Sequence, residues 1–163
     1  MSGFDLENFL PYLLNRAGAK IADAFGRVAR RHGVTLQMWR LLAALNQPDG
    51  QSVSSLANMT SIEISTLSRL LGQMQGRGLL QRRRDDGDQR SITVHRTAAA
   101  EAITATLVPI ARAYEARAVI GLDQRQERQL KAMLRRLFSN LDALDEIDAP
   151  ASKKPRSRRR IPR

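Results

Sequence analysis

The sequence predicts a mainly α-helical fold that carries one small β-hairpin. Apolar residues make up 42% of the 163 residues and aromatic residues only 4%, a balance typical of helical proteins built on leucine and alanine. Over most of the chain the apolar residues recur at steps of three and four, the period of an amphipathic helix. Two short extended segments around an acidic turn interrupt that pattern once. The length of 163 residues fits one domain, or one lobe carried on helices that need a partner to cover their apolar face.

At the amino-terminal end, apolar residues spaced by three and four across residues 5–31 predict one long helix. Pro11 or Gly18 would mark a bend in it, because both residue types weaken a helix interior. Gly33 is expected to end this helix, and Thr35 has the side-chain oxygen needed to cap a second one. A turn containing proline, aspartate and glycine should follow the second helix.

Two short helical patterns, residues 54–59 and 63–75, come next with helix-turn-helix spacing between them. Thr60 stands three residues before Glu63, so the pair predicts a capping box, although Ser61 could cap the second helix equally well. The apolar stripe predicted for the second helix is Ile64, Leu67, Leu70, Leu71 and Met74. The residues off that stripe are Ser65, Thr66, Ser68, Arg69 and Gln73. Their hydroxyls, guanidinium and amide suit a recognition helix that enters a DNA groove.

After the recognition helix, residues 79–84 and 91–94 each predict a short strand, and residues 85–88 supply the turn between them. A hairpin directly after a helix-turn-helix is a wing. The sequence therefore predicts a winged helix-turn-helix lobe over residues 33–97.

The carboxyl-terminal part, residues 98–147, predicts two further helices. Thr97 is expected to cap the first, Pro109 to kink it, and Asp123 to start the second. The leucine seam of the last helix is Leu130, Leu134, Leu137, Leu141 and Leu144. This helix and the amino-terminal segment 1–32 carry more apolar surface than the small lobe can cover, so both are predicted to be dimerisation helices of a homodimer.

The net charge of +11 would attract polyanions, but its distribution is uneven. Seven of the 27 Lys and Arg residues lie within the last eleven residues, where there is no acidic residue. Residues 148–163 are expected to be a disordered basic tail, which either adds phosphate contacts or only aids solubility. The local pattern of residues, and not the overall charge, therefore indicates DNA binding.

The composition also excludes other classes of protein. The chain has no cysteine, and His32 and His95 lack metal-ligand spacing, so we expect no metal site, no cofactor and no thiol-based sensing. No apolar run approaches ~18 residues and no signal peptide begins the chain, so we expect a cytoplasmic protein without a membrane segment. No catalytic grouping has a supporting motif, which argues against an enzyme.

The recognition helix and wing resemble the MarR family of bacterial transcription regulators. The residues that carry the resemblance are Ser65-Thr66-Leu67-Ser68-Arg69-Leu70, Met74, Arg77-Gly78-Leu79, Arg82-Arg83, Asp88-Gln89-Arg90 and Thr97. Residues 39–42 also look like the family's second helix. The resemblance implies a dimer joined through its terminal helices, repression or activation of nearby genes, and a small, often aromatic ligand bound between the dimer helices and the DNA lobe.

The wing offers candidate DNA contacts of its own. Arg90 can enter a narrow minor groove while Asp88 holds its orientation, or the two can form an ordinary ion pair on a solvated hairpin. On the first strand, Arg82 and Arg84 are expected to face phosphates. Two recognition helices related by a two-fold axis would enter successive major grooves, so the expected partner is double-stranded DNA with a pseudo-palindromic operator.

A site for a small-molecule effector is predicted where the first helices meet the DNA lobe. The candidate residues are Asn15, Arg16, His32, Trp39, Arg40 and Tyr114. An aromatic wall with arginine suits an aromatic acid or its thioester, although Trp39 on an inner helix face is more often core and His32 near a helix end more often complements the dipole.

The predicted function is a transcriptional repressor released by such a ligand. The alternative is an architectural protein that coats DNA without a ligand. RNA binding is disfavoured because the wing has no aromatic residue on which bases could stack.

Overall fold

The computed structural model describes residues 3–46, 50–84 and 92–148, with side chains described as far as residue 141. The described residues belong to two compact units that divide between Ala118 and Val119. The predicted wing turn at 85–88, the residues after it as far as 91 and the basic residues of the tail at 149–163 lie outside the described residues.

The amino-terminal helix begins later than its apolar pattern predicts. A single 3-10 turn, Leu6–Asn8, is capped by the Asp5 carboxylate, and helix α1 then spans Leu10–Arg31. The prediction of one continuous helix from residue 5 was therefore wrong. Pro11 stands in the first turn of α1, where its missing N–H leaves no hydrogen bond unmade, so it starts the helix instead of bending it.

The end of α1 and the start of helix α2, Leu36–Ala44, follow the prediction. Gly33 takes the left-handed conformation with φ +76°, which lets the chain leave α1. The Thr35 hydroxyl accepts a hydrogen bond from the amide of Met38 at 3.2 Å. Both signals act over three or four residues, which is why the sequence reveals them.

The helix-turn-helix consists of α3, Val53–Thr60, and α4, Ile64–Gly76. The predicted capping box was wrong, because Glu63 is itself the residue that caps α4. Thr60 instead ends α3, and its hydroxyl donates to the carbonyl of Leu56 at 2.6 Å. Ser61 takes the left-handed conformation between the helices, with φ +52°.

The sheet is antiparallel, in the order β1-β3-β2. Strands β2, Leu80–Arg84, and β3, Ile92–Arg96, form the predicted hairpin. Strand β1, Gln51–Ser52, was not predicted because two residues carry no periodic signal; it pairs with Val94 and Thr93 on β3.

Helix α5, Ala98–Ala118, completes the first unit and packs against α1 and α2. Thr97 joins α5 to the hairpin: its hydroxyl donates to the Gly78 carbonyl at 2.7 Å and accepts from the Ala100 amide at 3.4 Å. This confirms Thr97 as the cap. Pro109 lies inside the helix.

The core of the first unit brings together α1 to α5 and the sheet. The largest side chains with almost no exposure are Met38, Leu41, Leu42, Leu45, Leu56, Leu67, Leu71, Met74 and Leu107. Leucine and methionine pack densely between helices, and burying each such side chain contributes about 1.5–3 kcal/mol. The core therefore fixes the orientation of α4.

In the second unit, helix α6 spans Gln124–Asp148. The Asp123 carboxylate accepts from the amide of Gln126 at 2.8 Å, and the Gln126 side chain accepts from the amide of Asp123 at 2.9 Å. This reciprocal pair confirms Asp123 as the start. Along the helix, Leu130, Leu134 and Leu141 are exposed.

Candidate nucleic-acid interface

Helix α4 lies with one face in the core and the other in solvent. Its buried side chains are Leu67, Leu70, Leu71 and Met74. The predicted contact residues that are exposed are Ser65, Ser68, Arg69 and Gln73, and Thr66 is half-buried. The small hydroxyls and the guanidinium thus stand on a surface that the rest of the lobe leaves open.

The first turn of α4 is fixed by a carboxylate. Glu63 accepts from the amides of Ser65 at 2.9 Å and Thr66 at 3.1 Å, and also from the Ser65 hydroxyl. The Ser65 hydroxyl is the largest cause that lowers the pKa of Glu63 from 4.5 to about 2, and the two amides add to it. Because this hydroxyl donates to Glu63, its lone pairs remain available to accept from a partner.

The far end of α4 is fixed by Arg77, which caps the helix. Its Nη2 donates to the carbonyl of Gly33 at 2.6 Å, and its Nη1 contacts the sulfur of Met38 at 3.3 Å. One guanidinium therefore joins the end of the recognition helix to the connection between α1 and α2. In the sequence, Arg77 is recognisable only as part of the family pattern, which predicts no contact for it. Its partners, Met38 and Gly33, lie 39 and 44 residues away, beyond the reach of a local pattern.

Ile64 was predicted to belong to the buried stripe of α4, and this was wrong, because it is 57% exposed. It is the first residue of the helix, next to the turn from α3, and the buried residues of α4 begin only at Leu67. A helix end projects past the core that its middle contacts, so periodicity alone cannot tell whether the first apolar residue is covered.

The arginines of the wing occupy both faces of its first strand. Arg82 pairs with Val94 and Arg84 with Ile92, whereas Arg83 pairs with Thr93 on the opposite face. All three arginine side chains are exposed. Cations therefore project from both faces of the wing. Asp88 and Arg90 lie outside the described residues.

Two of the predicted ligand residues meet at an aromatic cluster. The rings of Phe25 and Trp39 are 5.2 Å apart between centroids, and those of Phe25 and Tyr114 are 5.8 Å apart. Trp39 and Tyr114 are half-buried at the edge of the core, where α1, α2 and α5 meet. Phe25 joins them and was missed, because nothing distinguishes it from the other apolar residues of α1.

The remaining predicted ligand residues, Asn15, Arg16, His32 and Arg40, are exposed. Arg16 donates to the Tyr12 hydroxyl at 3.2 Å, one helical turn away, and its guanidinium lies 5.4 Å from the centre of that ring. His32 lies at the C-cap of α1, and its amide donates to the Ala29 carbonyl. The described contacts therefore link only Trp39 and Tyr114 with each other, through Phe25.

In the described part of the chain, no helix combines the length and the apolar run that crossing a membrane needs. Over the same residues, no three His, Asp or Glu side chains group as they would around a metal ion. The features that stand out are instead α4 with its polar face and the hairpin beside it. Together with the supporting helix α3, they define a winged helix-turn-helix DNA-binding protein.

Comparisons with known proteins identify the family. The MarR family pattern matches residues 34–92. A MarR family transcriptional regulator from Silicibacter pomeroyi is 32% identical with a TM-score of 0.75, over 83% of this chain and 92% of that one. The transcriptional repressor Rv2887 of Mycobacterium tuberculosis is 29% identical over 131 residues, which are 80% of this chain and 94% of the repressor. The chain belongs to the MarR family of transcription regulators.

A third comparison shows the fold alone. CouR of Rhodococcus jostii, solved bound to p-coumaroyl-CoA, superposes with a TM-score of 0.76 over 83% of this chain and 95% of that one. Its sequence identity is only 20%.

Proposed function

We propose that this regulator is a homodimeric repressor that binds a pseudo-palindromic operator and leaves it when a small aromatic acid or thioester binds. The observation that carries the proposal is α4, whose hydroxyl and guanidinium face is exposed while its opposite face is buried. The name of the mycobacterial relative supports repression. Such a regulator acts on bacterial DNA in the cytoplasm, and no catalytic step is part of the proposal.

In this proposal α4 enters the major groove, where Ser65, Ser68 and Arg69 meet base edges and phosphates. Thr66 and Gln73 complete that surface. The wing adds phosphate contacts through Arg82 and Arg84, and Arg90 enters the minor groove beside Asp88. The basic tail at 148–163 adds further phosphate contacts.

Dimerisation is assigned to the segment 1–32 and to the helices within 98–147. On α1, Leu10, Leu13 and Ile21 are exposed. On α6, the exposed apolar residues include Leu130, Leu134 and Leu141 of the leucine seam, together with Phe138. Exposed apolar residues repeated along a helix favour a protein interface over solvent. A second copy of the chain is the simplest partner, because closed two-fold symmetry is the commonest arrangement of such oligomers.

The effector is assigned to the aromatic cluster of Phe25, Trp39 and Tyr114. Half-buried rings offer a flat apolar wall to an aromatic ligand, and Asn15, Arg16, His32 and Arg40 are the polar candidates for its carboxylate or thioester. The p-coumaroyl-CoA bound by CouR belongs to this chemical class. Because α1, α2 and α5 all contribute to the cluster, a ligand there would act on the helices that support the DNA lobe.

Footprinting on the DNA upstream of the chain's own gene tests this function, repeated with a panel of aromatic acids and their thioesters. We expect a protected palindrome that one compound releases. The architectural alternative predicts equal affinity for this site and for random duplex at the same salt concentration, so a ratio near one would refute the proposal.

A further inference from the structure

Ile64 is a large aliphatic side chain placed in solvent at the first position of the recognition helix. The Glu63 carboxylate fixes this first turn by accepting from the amides of Ser65 and Thr66. Single exposed apolar residues are common on protein surfaces. What distinguishes Ile64 is therefore its position on α4 and not its exposure alone.

That position aligns Ile64 with the open face of α4. Residues four apart lie on the same side of a helix, so Ile64 stands beside Ser68, and Ser68 beside Gly72. Ser68 and Gly72 are exposed, and nothing lies within 4 Å of a Cβ built on Gly72. Ile64, Ser68 and Gly72 therefore form a strip along α4. Ser68 has a small side chain and Gly72 has none, so Ile64 at the amino-terminal end is the residue that projects from it.

In the major groove this strip would meet base edges, and the amino-terminal residues of a recognition helix are the ones that reach them. Ile64 has no hydrogen-bonding group, so it cannot read the donors and acceptors of the bases. Thymine alone among the four bases presents a methyl group there, and an aliphatic side chain contacts it favourably. We propose that Ile64 is a specificity-determining residue that contacts the 5-methyl group of one thymine in each half-site of the operator.

This inference rests on the proposed function, in which α4 enters the major groove. A second protein is a poorer occupant of the same position. Ile64 is the only exposed large apolar residue among those described on α4, and its neighbours on the helix are hydroxyls, a carboxylate and a guanidinium rather than an apolar patch.

The test compares thymine with uracil, which lacks only the methyl group. The full-length protein selects an operator from a random duplex library at fixed salt, and each thymine is then replaced in turn, symmetrically in both half-sites. At one position, replacing thymine by uracil in both half-sites should lower the affinity of the wild-type protein roughly fifteenfold, because each half-site loses about one methyl contact. Ile64→Ala should bind the thymine operator at least this much more weakly and respond less than about twofold to uracil at that position.

Two further variants sharpen the test. Ile64→Thr keeps the β-branched shape and one γ-methyl group, so it should retain part of the response to uracil. Met59→Ala is the matched control, because Met59 is 53% exposed on α3, on the other side of the turn. This control should keep the full response to uracil.

The outcomes separate the two proposals. If the wild-type protein selects no duplex over random DNA, the proposed function fails and the role of Ile64 fails with it. If it selects an operator but tolerates uracil at every thymine, or if Ile64→Ala keeps the full response, the role of Ile64 is wrong and the proposed function stands. Dissociation of Ile64→Ala into monomers would also overturn it, because Ile64 would then belong to a protein interface.

Discussion

Helices α4 and α1 are both amphipathic, but the first unit buries the apolar residues of α4 more completely than those of α1. On α4 every apolar residue after Ile64 is buried within the first unit. On α1 the buried residues come only from the last part of the helix, at Phe25, Gly26 and Ala29. Earlier on the same helix, Leu13 is still 45% exposed.

The difference separates two kinds of surface. The chain alone completes the support of α4, so the polar face of α4 is ready for a ligand that is not protein. The first two-thirds of α1 have no such cover among the described residues of the first unit, so they suit another polypeptide surface. A substitution under α4 should therefore lower stability equally at every protein concentration. A substitution on the exposed part of α1 should instead change the dissociation constant of the dimer.

The largest loss of stability is expected from a substitution in the core beneath α4. Leu71→Ala removes a side chain that is only 1% exposed, and leaving a cavity there should lower the free energy of unfolding by about 2–5 kcal/mol. Urea unfolding at several protein concentrations measures it, and the loss should be the same at each one. A loss below about 1 kcal/mol would mean that α4 is not supported by this core.

A smaller effect, of another kind, is expected on α1. Leu13→Ala should weaken the dimer by roughly 2 kcal/mol, about thirtyfold in its Kd, because a two-fold interface loses the side chain twice. Sedimentation equilibrium measures this Kd. Lys20→Ala on the same helix is the control for an exposed residue of different chemistry. An unchanged Kd for Leu13→Ala would remove this part of α1 from the interface.

Features of the fold that depend on neighbouring residues could be predicted from the sequence, whereas those that depend on distant contacts could not. Gly33, Thr35, Thr97 and Asp123 mark helix boundaries as expected, since each signal acts through a neighbouring amide or a single backbone angle. The start of α4 could not be read in this way, because Thr60, Ser61 and Glu63 all offer a capping oxygen. Their ranking depends on where α3 ends.

The candidate sites divide similarly. The polar face of α4 follows from helical period, so its exposed residues were predictable. Phe25 and the anchoring of Arg77 depend on contacts between segments far apart in sequence, which no local pattern contains. Ile64 was assigned to the core because its period fits, and only the end of the helix relative to the core decides otherwise.

Arg77 connects the two regions, so replacing it tests whether they are coupled. Arg77→Met keeps the apolar stem and removes the hydrogen bond to the Gly33 carbonyl, which should lower the free energy of unfolding by about 1 kcal/mol. Operator affinity should fall as well, because the end of α4 is then less firmly held. Arg69→Met is the matched control: it should weaken operator binding while stability stays within about 0.5 kcal/mol. Equal stability of both variants would show that Arg77 does not anchor α4.

The smallest effect concerns the cap of α4 and depends on pH. Folding lowers the pKa of Glu63 from 4.5 to about 2, so the stability that its carboxylate contributes is fully present above about pH 4.5 and is lost as the pH falls towards 2. Glu63→Gln cannot ionise and caps the amides less well. Its melting temperature should therefore lie below that of the wild type at pH 7, and the gap should narrow between pH 4.5 and 2. Thermal unfolding across this range measures the gap, with Glu101→Gln as the control, because Glu101 also lies in the first turn of a helix, α5, but is not its N-cap. A gap that stays constant with pH would mean that the charge of Glu63 does not stabilise the recognition helix.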